Sequence, residues 1–354
     1  MLSIYINKGY IVLSLLLCLC VCSCKQEKTI EKNFAVSQKL QPSLKTLQEI
    51  IKFGNIYTTT DYLVLRDAHS NATDFFYVYS RPNLKFLYSF GHRGNGRNEY
   101  LMPTVIKNMP SNQFAFRDHA TDNYATFLLT DSTAILLNET KHPVSDGRFF
   151  WEINYVANQQ YLLKRSNSRL STRELWNLDD YYSLDKLPNT FTLEKELGDA
   201  YYTEFDDYWL SVSQTSFAVA YFFINRLEFG KIKNGKLKLN GFVGVTDAPD
   251  FYLFEEAKPG GKYKYNVDNN VVYYEALAST PEGVYALYSG VPWGDLEKKH
   301  SSIIEFYNWE GKPIKQFILE EPLSDFVVDE NRKLIYGINP DSHEDAILVF
   351  NYND

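Results

Sequence analysis

Beyond residue 24 the sequence has no cysteine. The 354-residue chain carries four, Cys18, Cys20, Cys22 and Cys24, all within or at the end of one short apolar run. A disulfide framework is therefore excluded for everything downstream, as is a Cys-x-x-Cys metal knuckle. The longest apolar stretch, Ile11 to Cys22, is twelve residues, short of the roughly 20 that span a bilayer as a helix. Positive charge is also scarce: 36 Lys+Arg face 44 Asp+Glu, a net charge of −8, and the longest basic run is the pair Lys298–Lys299. Nucleic-acid binding, which needs clustered cations against phosphates, is disfavoured. No His-Glu-x-x-His, Gly-x-Ser-x-Gly or EF-hand spacing occurs, so the common zinc-protease, serine-hydrolase and calcium-loop signatures are missing. After about Lys45 no stretch of 11 to 18 residues keeps a 3.6-residue apolar period, which argues against helices.

What is present is a core-forming composition, 45% hydrophobic and 23% charged, with aromatics at 16%, the side chains that pack well on sheets. The N-terminus is a targeting segment. Lys8 precedes the apolar run, and the abrupt change to Lys25-Gln26-Glu27-Lys28 marks its end. Val21-Cys22-Ser23-Cys24 resembles a bacterial lipobox, which implies cleavage before Cys24 and lipidation of that cysteine. Residues 1–23 are then the signal peptide, 24–44 the lipidated cysteine and a polar tether, and 45–354 the folded domain. The expected address is the bacterial cell envelope, on the outer membrane. Attachment is expected through acyl chains, at about 0.8 kcal/mol per buried methylene, rather than through the chain's charge.

From Lys45 onward, short alternating or apolar runs are separated by Asn/Asp/Gly/Ser/Pro turns, as in Phe75-Phe76-Tyr77-Val78-Tyr79 and Ile347-Leu348-Val349-Phe350. Landmarks at Leu63, Phe114, Tyr161, Phe217, Val284 and Leu334 recur about every 54 residues, the period of a propeller blade of four short strands. The spacing predicts first-blade strands over Ile51–Tyr57, Asp61–Asp67, Phe75–Tyr79 and Lys85–Gly91. The last unit supplies only Leu323–Asp329, Lys333–Ile338 and Ala346–Tyr352, so a strand from between Phe34 and Ile50 is expected to complete it and cover an open edge. The fold class is all-β: a six-bladed β-propeller of four-stranded antiparallel blades closed by an N-terminal strand.

The run Phe90-Gly91-His92-Arg93-Gly94-Asn95-Gly96-Arg97-Asn98-Glu99-Tyr100 resembles the glycine-rich turn after the first blade of the TolB-like six-bladed propeller lipoproteins of Bacteroidota, with Arg97 where proline is usual. Phe306-Tyr307-Asn308-Trp309-Glu310-Gly311-Lys312-Pro313-Ile314 and the runs after it are similar to the C-terminal part of that family. The resemblance implies fold and envelope location, and brings no catalytic residues.

Candidate chemistry gathers in loops. Connections from second to third strand carry His69, His119, His300 and His343; connections to the next blade carry His92 and His142, and both kinds emerge on one rim. Leu63-Val64-Leu65-Arg66-Asp67-Ala68-His69 parallels Phe114-Ala115-Phe116-Arg117-Asp118-His119. The candidate ligand-binding set is therefore Arg66, Asp67, His69, His92, Arg117, Asp118, His119, His300 and His343, suited to an anionic or metal-bridged ligand. No catalytic residue, metal or cofactor is assigned. The glycines of 91–96 lack the strand-then-helix context of a phosphate loop. Paired acids such as Asp179-Asp180, Asp206-Asp207, Glu255-Glu256 and Glu320-Glu321 read as solvated turns. Tyr181-Tyr182, Tyr201-Tyr202, Tyr208-Trp209 and Trp293 could stack on sugars or fill the space between blades. The expected function is a non-catalytic module binding an envelope protein or glycan, the alternative a hydrolase or lyase acting on a glycan or ester at the same rim.

Overall fold

A computed structural model describes residues 28–141, 150–166, 171–177, 182–187, 208–246, 267–298, 301–339 and 341–353. Cys24, His142, His300, three of the acidic pairs (179–180, 206–207 and 255–256) and the tyrosines at 181 and 201–202 lie outside the described residues. The chain is an all-β propeller, interrupted among the described residues only by short 3-10 turns at Val267–Asn269 and Trp293–Lys298.

Three strands come first: β1 (Lys28–Ile30), β2 (Val36–Leu40) and β3 (Pro42–Thr46). Antiparallel meanders follow. β4 (Phe53–Thr58), β5 (Tyr62–Asp67), β6 (Asp74–Ser80) and β7 (Phe86–His92) form one sheet in chain order. β8 (Pro103–Lys107), β9 (Gln113–Asp118), β10 (Asn123–Leu129) and β11 (Ala134–Lys141) form a second meander, and β12 (Phe150–Ala157), β13 (Gln160–Ser166), β14 (Ser171–Asn177) and β15 (Tyr182–Leu187) a third. These two merge into one eight-stranded sheet because their first strands, β8 and β12, pair in parallel at Ile106↔Ile153 and Lys107↔Asn154.

Next come β16 (Tyr208–Ser213), β17 (Ser216–Tyr221), β18 (Arg226–Lys233) and β19 (Lys236–Gly244), then β20 (Val271–Ser279), β21 (Gly283–Pro292), β22 (Ser301–Asn308) and β23 (Pro313–Leu323). The last sheet holds β24 (Asp325–Asp329), β25 (Leu334–Ile338) and β26 (Ala346–Asn351), and its fourth strand is β3, antiparallel to β26 from Pro42↔Phe350 to Thr46↔Ala346.

Residues read from the sequence as tether are strands. β1 lies parallel to β19 and β2 parallel to β23, each adding a fifth strand to a complete four-stranded sheet. The physical reason is that the outer strand of a meander leaves a row of unpaired N–H and C=O groups, which an extended polar segment can satisfy. Tether composition and edge-strand composition look alike in sequence. Between these strands Lys32 ion-pairs with Glu305 and Phe34 packs edge-on to Tyr307, ring centroids 5.4 Å apart.

The core lies between sheets. Second strands are buried on both faces: Leu63, Val64 and Leu65 on β5 and Phe217 to Tyr221 on β17 are fully enclosed. Each hydrophobic cluster is shared by successive meanders, including one that joins the last sheet (Tyr336, Ile338, Ile347) to the first (Phe53, Ile56, Leu63, Leu65). Aromatics fill the wedges: Phe76 meets Phe114 at 4.9 Å and Phe116 at 5.3 Å, and Tyr100 stands edge-on to Phe116 at 4.6 Å, geometries that add to area burial.

Candidate functional site

The first strand of every meander faces one central cavity of about 350 Å³. Each contributes a polar side chain to its wall: Asn55 from β4, Lys107 from β8, Glu152 from β12, Ser211 from β16, Glu275 from β20 and Asp325 from β24. Strand alternation explains the arrangement, since residues flanking each polar one turn toward the apolar wedges between sheets. Glu152 is aimed differently. Its φ is +48° and the β12–β13 register breaks between Trp151 and Asn154, a bulge that re-aims a side chain at a strained position.

That bulge brings Glu152 Oε2 to 2.7 Å from Lys107 Nζ. Burial works against the lysine charge, but Glu152, reinforced by Asp325, holds its pKa above the ordinary value. Asp325 is raised by burial, with Lys107 opposing; its Oδ2 accepts from the Ile56 amide at 3.2 Å and from Asn55 Nδ2 at 3.3 Å. Tyr57, edge-on to Phe114 at 6.0 Å, has its phenol pushed up mainly by burial. Glu275 accepts from the Ser301 amide at 3.2 Å and from its hydroxyl.

Arg66 also lines the cavity, opposite Asn55 in the β4–β5 ladder. Its Nε is buried without a hydrogen bond, and among the described residues no carboxylate pairs with its guanidinium. A fork of donors on a cavity wall, left unsatisfied by the protein, is an anion-recognition feature.

The other described residues of the set expected from sequence are not among those lining this cavity. Asp67 and Asp118 are structural pins, fully buried. Asp67 accepts from the amides of Ile51 at 2.8 Å, Lys52 at 3.3 Å and His69 at 2.8 Å. Asp118 accepts from Leu101 at 3.0 Å, Met102 at 2.8 Å and Ala120 at 3.1 Å, and from the Thr121 hydroxyl at 3.1 Å. The matching Arg-Asp-(Ala)-His segments thus encode one loop device used twice: a carboxylate ending the second strand ties down the segment entering the first. Arg117, the counterpart of Arg66, is buried and bonded to Asp122 at 2.8 Å.

Three of the described histidines are engaged locally. His69 Nδ1 accepts from the Asn71 amide at 3.1 Å, His92 Nδ1 lies 3.1 Å from Asp74 Oδ1, and His343 Nε2 lies 3.6 Å from Glu321. Burial, aided by Arg117, lowers the His119 pKa to about 4, so its ring is neutral at ordinary pH. Among the described residues no group of three or more His, Cys, Asp or Glu could hold a metal.

The glycine-rich crossover also looks inward: the Gly96 amide donates to Glu99 Oε2 at 2.7 Å, and a Cβ on Gly94 would overlap that carboxylate. The segment cradles its own anion. Of the aromatic loop residues, Trp209 lines the cavity with its indole N–H on the Tyr274 carbonyl at 2.9 Å, while Trp293 packs on Phe222 and Phe223.

Sequence reasoning missed Lys107, Glu152 and Asp325. Their signal is a lone charged residue in or at the start of the run that opens a repeat (Thr-Val-Ile-Lys, Phe-Trp-Glu-Ile, Asp-Phe-Val-Val), legible only once the first strand is known to face a shared channel.

Residues 51–331 match the family model described as TolB-like 6-blade propeller-like. No curated protein matches the chain. Among solved structures, a member of the duf4221 family from Bacteroides vulgatus is similar at 9% identity and TM-score 0.54, covering 89% of this chain and 98% of that one. The β-propeller domain of Cps50 (Swd1) from Myceliophteria thermophila is 11% identical with TM-score 0.48, covering 88% and 100%. At such identities the likeness describes fold alone.

Proposed function

Because the chain belongs to the TolB-like 6-blade propeller-like family, we propose that it is an envelope protein, lipid-anchored through Cys24, that acts as a non-catalytic binding module for a small polar ligand bearing an anionic group. The propeller is read as six blades closed by β3. Supporting this are the six first strands around one cavity and the apolar cluster joining last sheet to first. The ligand site is this channel rather than the histidine rim.

Arg66 carries the reading. The other charged groups among the described residues of the wall have partners within the protein: Lys107 with Glu152, Asp325 with Asn55 and the Ile56 amide, Glu275 with Ser301. Among the described residues of the wall, Arg66 is the charged group whose donors are unspent, beside the apolar flank of Ile56, Phe114 and Trp209, and a pocket of mixed apolar wall and few convergent polar groups is the usual form of a small-ligand site.

The test is tryptophan emission, to which Trp209 on the wall contributes, titrated with glucuronate, an acetylated dipeptide and inorganic phosphate. A saturable change with at least one carboxylate or phosphate probe is expected, weakened by about 10-fold or more in Arg66→Ala, the scale of one charge-assisted hydrogen bond, and unchanged in His69→Ala. Equal responses in wild type and Arg66→Ala would remove the channel as the anion site. Chemical turnover of a probe would favour the hydrolase or lyase alternative.

A further inference from the structure

The lysines of this acidic chain are not evenly spread. From Gly230 to Thr246 there are four, Lys231, Lys233, Lys236 and Lys238, and no Asp or Glu. They form the β18–β19 hairpin, closed by Asn234 and Gly235 at φ +53° and +68° between the paired residues Lys233 and Lys236. Lys233, Lys236 and Lys238 are exposed, and a Cβ on Gly235 would meet nothing within 4 Å, so the tip stands clear of the body. Among the described residues two acids face the hairpin from neighbouring elements: Asp185 on β15, 3.2 Å from Lys236 Nζ, and the exposed Glu310, 3.9 Å from Lys231 Nζ. Lys186 and Lys312, also exposed, flank them.

The register of β1 gives this patch its meaning. β1 runs parallel to β19, with Lys28 opposite Gly241 and Ile30 opposite Val243. β19 starts at the hairpin tip, so the chain enters β1 from the tip side. Cys24 is four residues before Lys28 and can lie no more than about 14 Å from it. Lys238 is three residues from Gly241, roughly 10 Å along the strand.

We infer that the lysine hairpin of the fourth meander is a membrane-facing surface that contacts anionic lipid headgroups beside the acylated Cys24, and so orients the propeller. The inference rests on the anchor reading above. One acyl-bearing cysteine plus a basic patch is the two-signal arrangement that gives stable and oriented attachment. The whole chain supplies the contrast: with a net charge of −8 it is repelled overall by an anionic leaflet, while a locally basic surface is drawn to it. The hairpin joins third to fourth strand, at the opposite end of the sheet from the second-to-third and blade-to-blade connections. The rim bearing His69, His92 and His119 therefore points away from the bilayer.

After Cys24 there is no other cysteine, so one introduced thiol can be labelled uniquely in the acylated full chain. Thr215→Cys reports beside the hairpin, where the Thr215 carbonyl accepts from the Ile232 amide at 2.7 Å; Ser70→Cys reports on the opposite rim. Each carries a polarity-sensitive dye and is mixed with phosphatidylcholine vesicles, with or without phosphatidylglycerol. The Thr215 label is expected to shift to the blue on anionic vesicles only and to revert at high salt, with the Ser70 label unmoved. Lys233→Gln and Lys238→Gln should each weaken the anionic response about fivefold. Equal shifts on neutral and anionic vesicles, or at both label positions, would overturn the surface.

Labelling with a palmitate analogue judges the anchor separately. If Cys24→Ser is labelled as well as wild type, the anchor reading fails, and the hairpin is then decided by sedimentation of the unacylated chain with anionic vesicles at low salt. Sedimentation lost in the two lysine variants sustains the surface; no sedimentation overturns it.

Discussion

Lys32 joins the N-terminal segment to the body of the protein through a single buried acid. It ion-pairs with Glu305, whose side chain is only 3% exposed, and lies 3.9 Å above the Tyr288 ring; the Tyr307 hydroxyl donates to the same carboxylate at 2.8 Å. Burial raises the Glu305 pKa and Lys32 is the main opposing influence. A folded-state pKa above the unfolded value means that the folded protein holds the proton more tightly. Stability from this group is then fullest below the unfolded pKa and falls as pH rises through the folded one. Lys32→Met removes the opposing charge and lifts that pKa further. It should cost about 2–4 kcal/mol near neutral pH, and the deficit from wild type should be smaller at about pH 5 than at about pH 8. Denaturant titrations at the two pH values check this; a deficit independent of pH would show that Glu305 does not need its cation.

Adjacent sheets are tied by ionic contacts as well as by apolar packing. Arg173 on β14 donates to Glu228 on β18 at 2.5 Å and to the Tyr221 hydroxyl at 2.7 Å, while Arg226 Nε donates to the other Glu228 oxygen at 2.8 Å. All three charged side chains are within 3% of full burial. Two cations share one anion, so the consequences of removal are unequal. Arg173→Met still leaves Arg226 paired with Glu228 and should cost about 1–3 kcal/mol, the desolvation of a lost hydrogen-bond partner. Glu228→Gln removes the carboxylate charge that both buried guanidinium groups share and should cost about 3–5 kcal/mol. Chemical denaturation of both variants tests the order, and an equal or inverted pair of values would mean that the anion is not what holds these strands.

At the scale of the molecule, the N-terminal strands are not equivalent. β1 and β2 are fifth strands on complete sheets, whereas β3 is the fourth strand of the sheet formed with β24, β25 and β26, packed against residues of β26 that are mostly fully buried. A chain starting at Gln41 loses two edge additions and the Lys32 contact; one starting at Leu47 also uncovers the backbone edge of β26. Thermal melts should show a drop of several degrees for the first and a larger one for the second, given about 2–4 °C per kcal/mol in a domain of 150–250 residues. Identical melting of the two would contradict the role of β3.

The sequence by itself determined the class of the protein. Alternation, turn residues and a period near 54 are local properties of the chain, and strands such as Tyr62–Asp67 and Leu334–Ile338 fall where those patterns place them. It also marked the Arg-Asp-His loops as a repeated device, because both copies obey the same turn chemistry. Only the tertiary structure decided what those residues do. Asp67 and Asp118 are spent on backbone amides a dozen or more residues away in sequence, and Arg66 remains for the channel while its counterpart Arg117 is taken by Asp122. Lys107, Glu152 and Asp325 come from three meanders, and Lys28 meets Gly241 across more than two hundred residues. Such contacts depend on which strand edges and faces are left unsatisfied after the sheets form, a quantity set by the whole packing and carried by no local stretch of sequence.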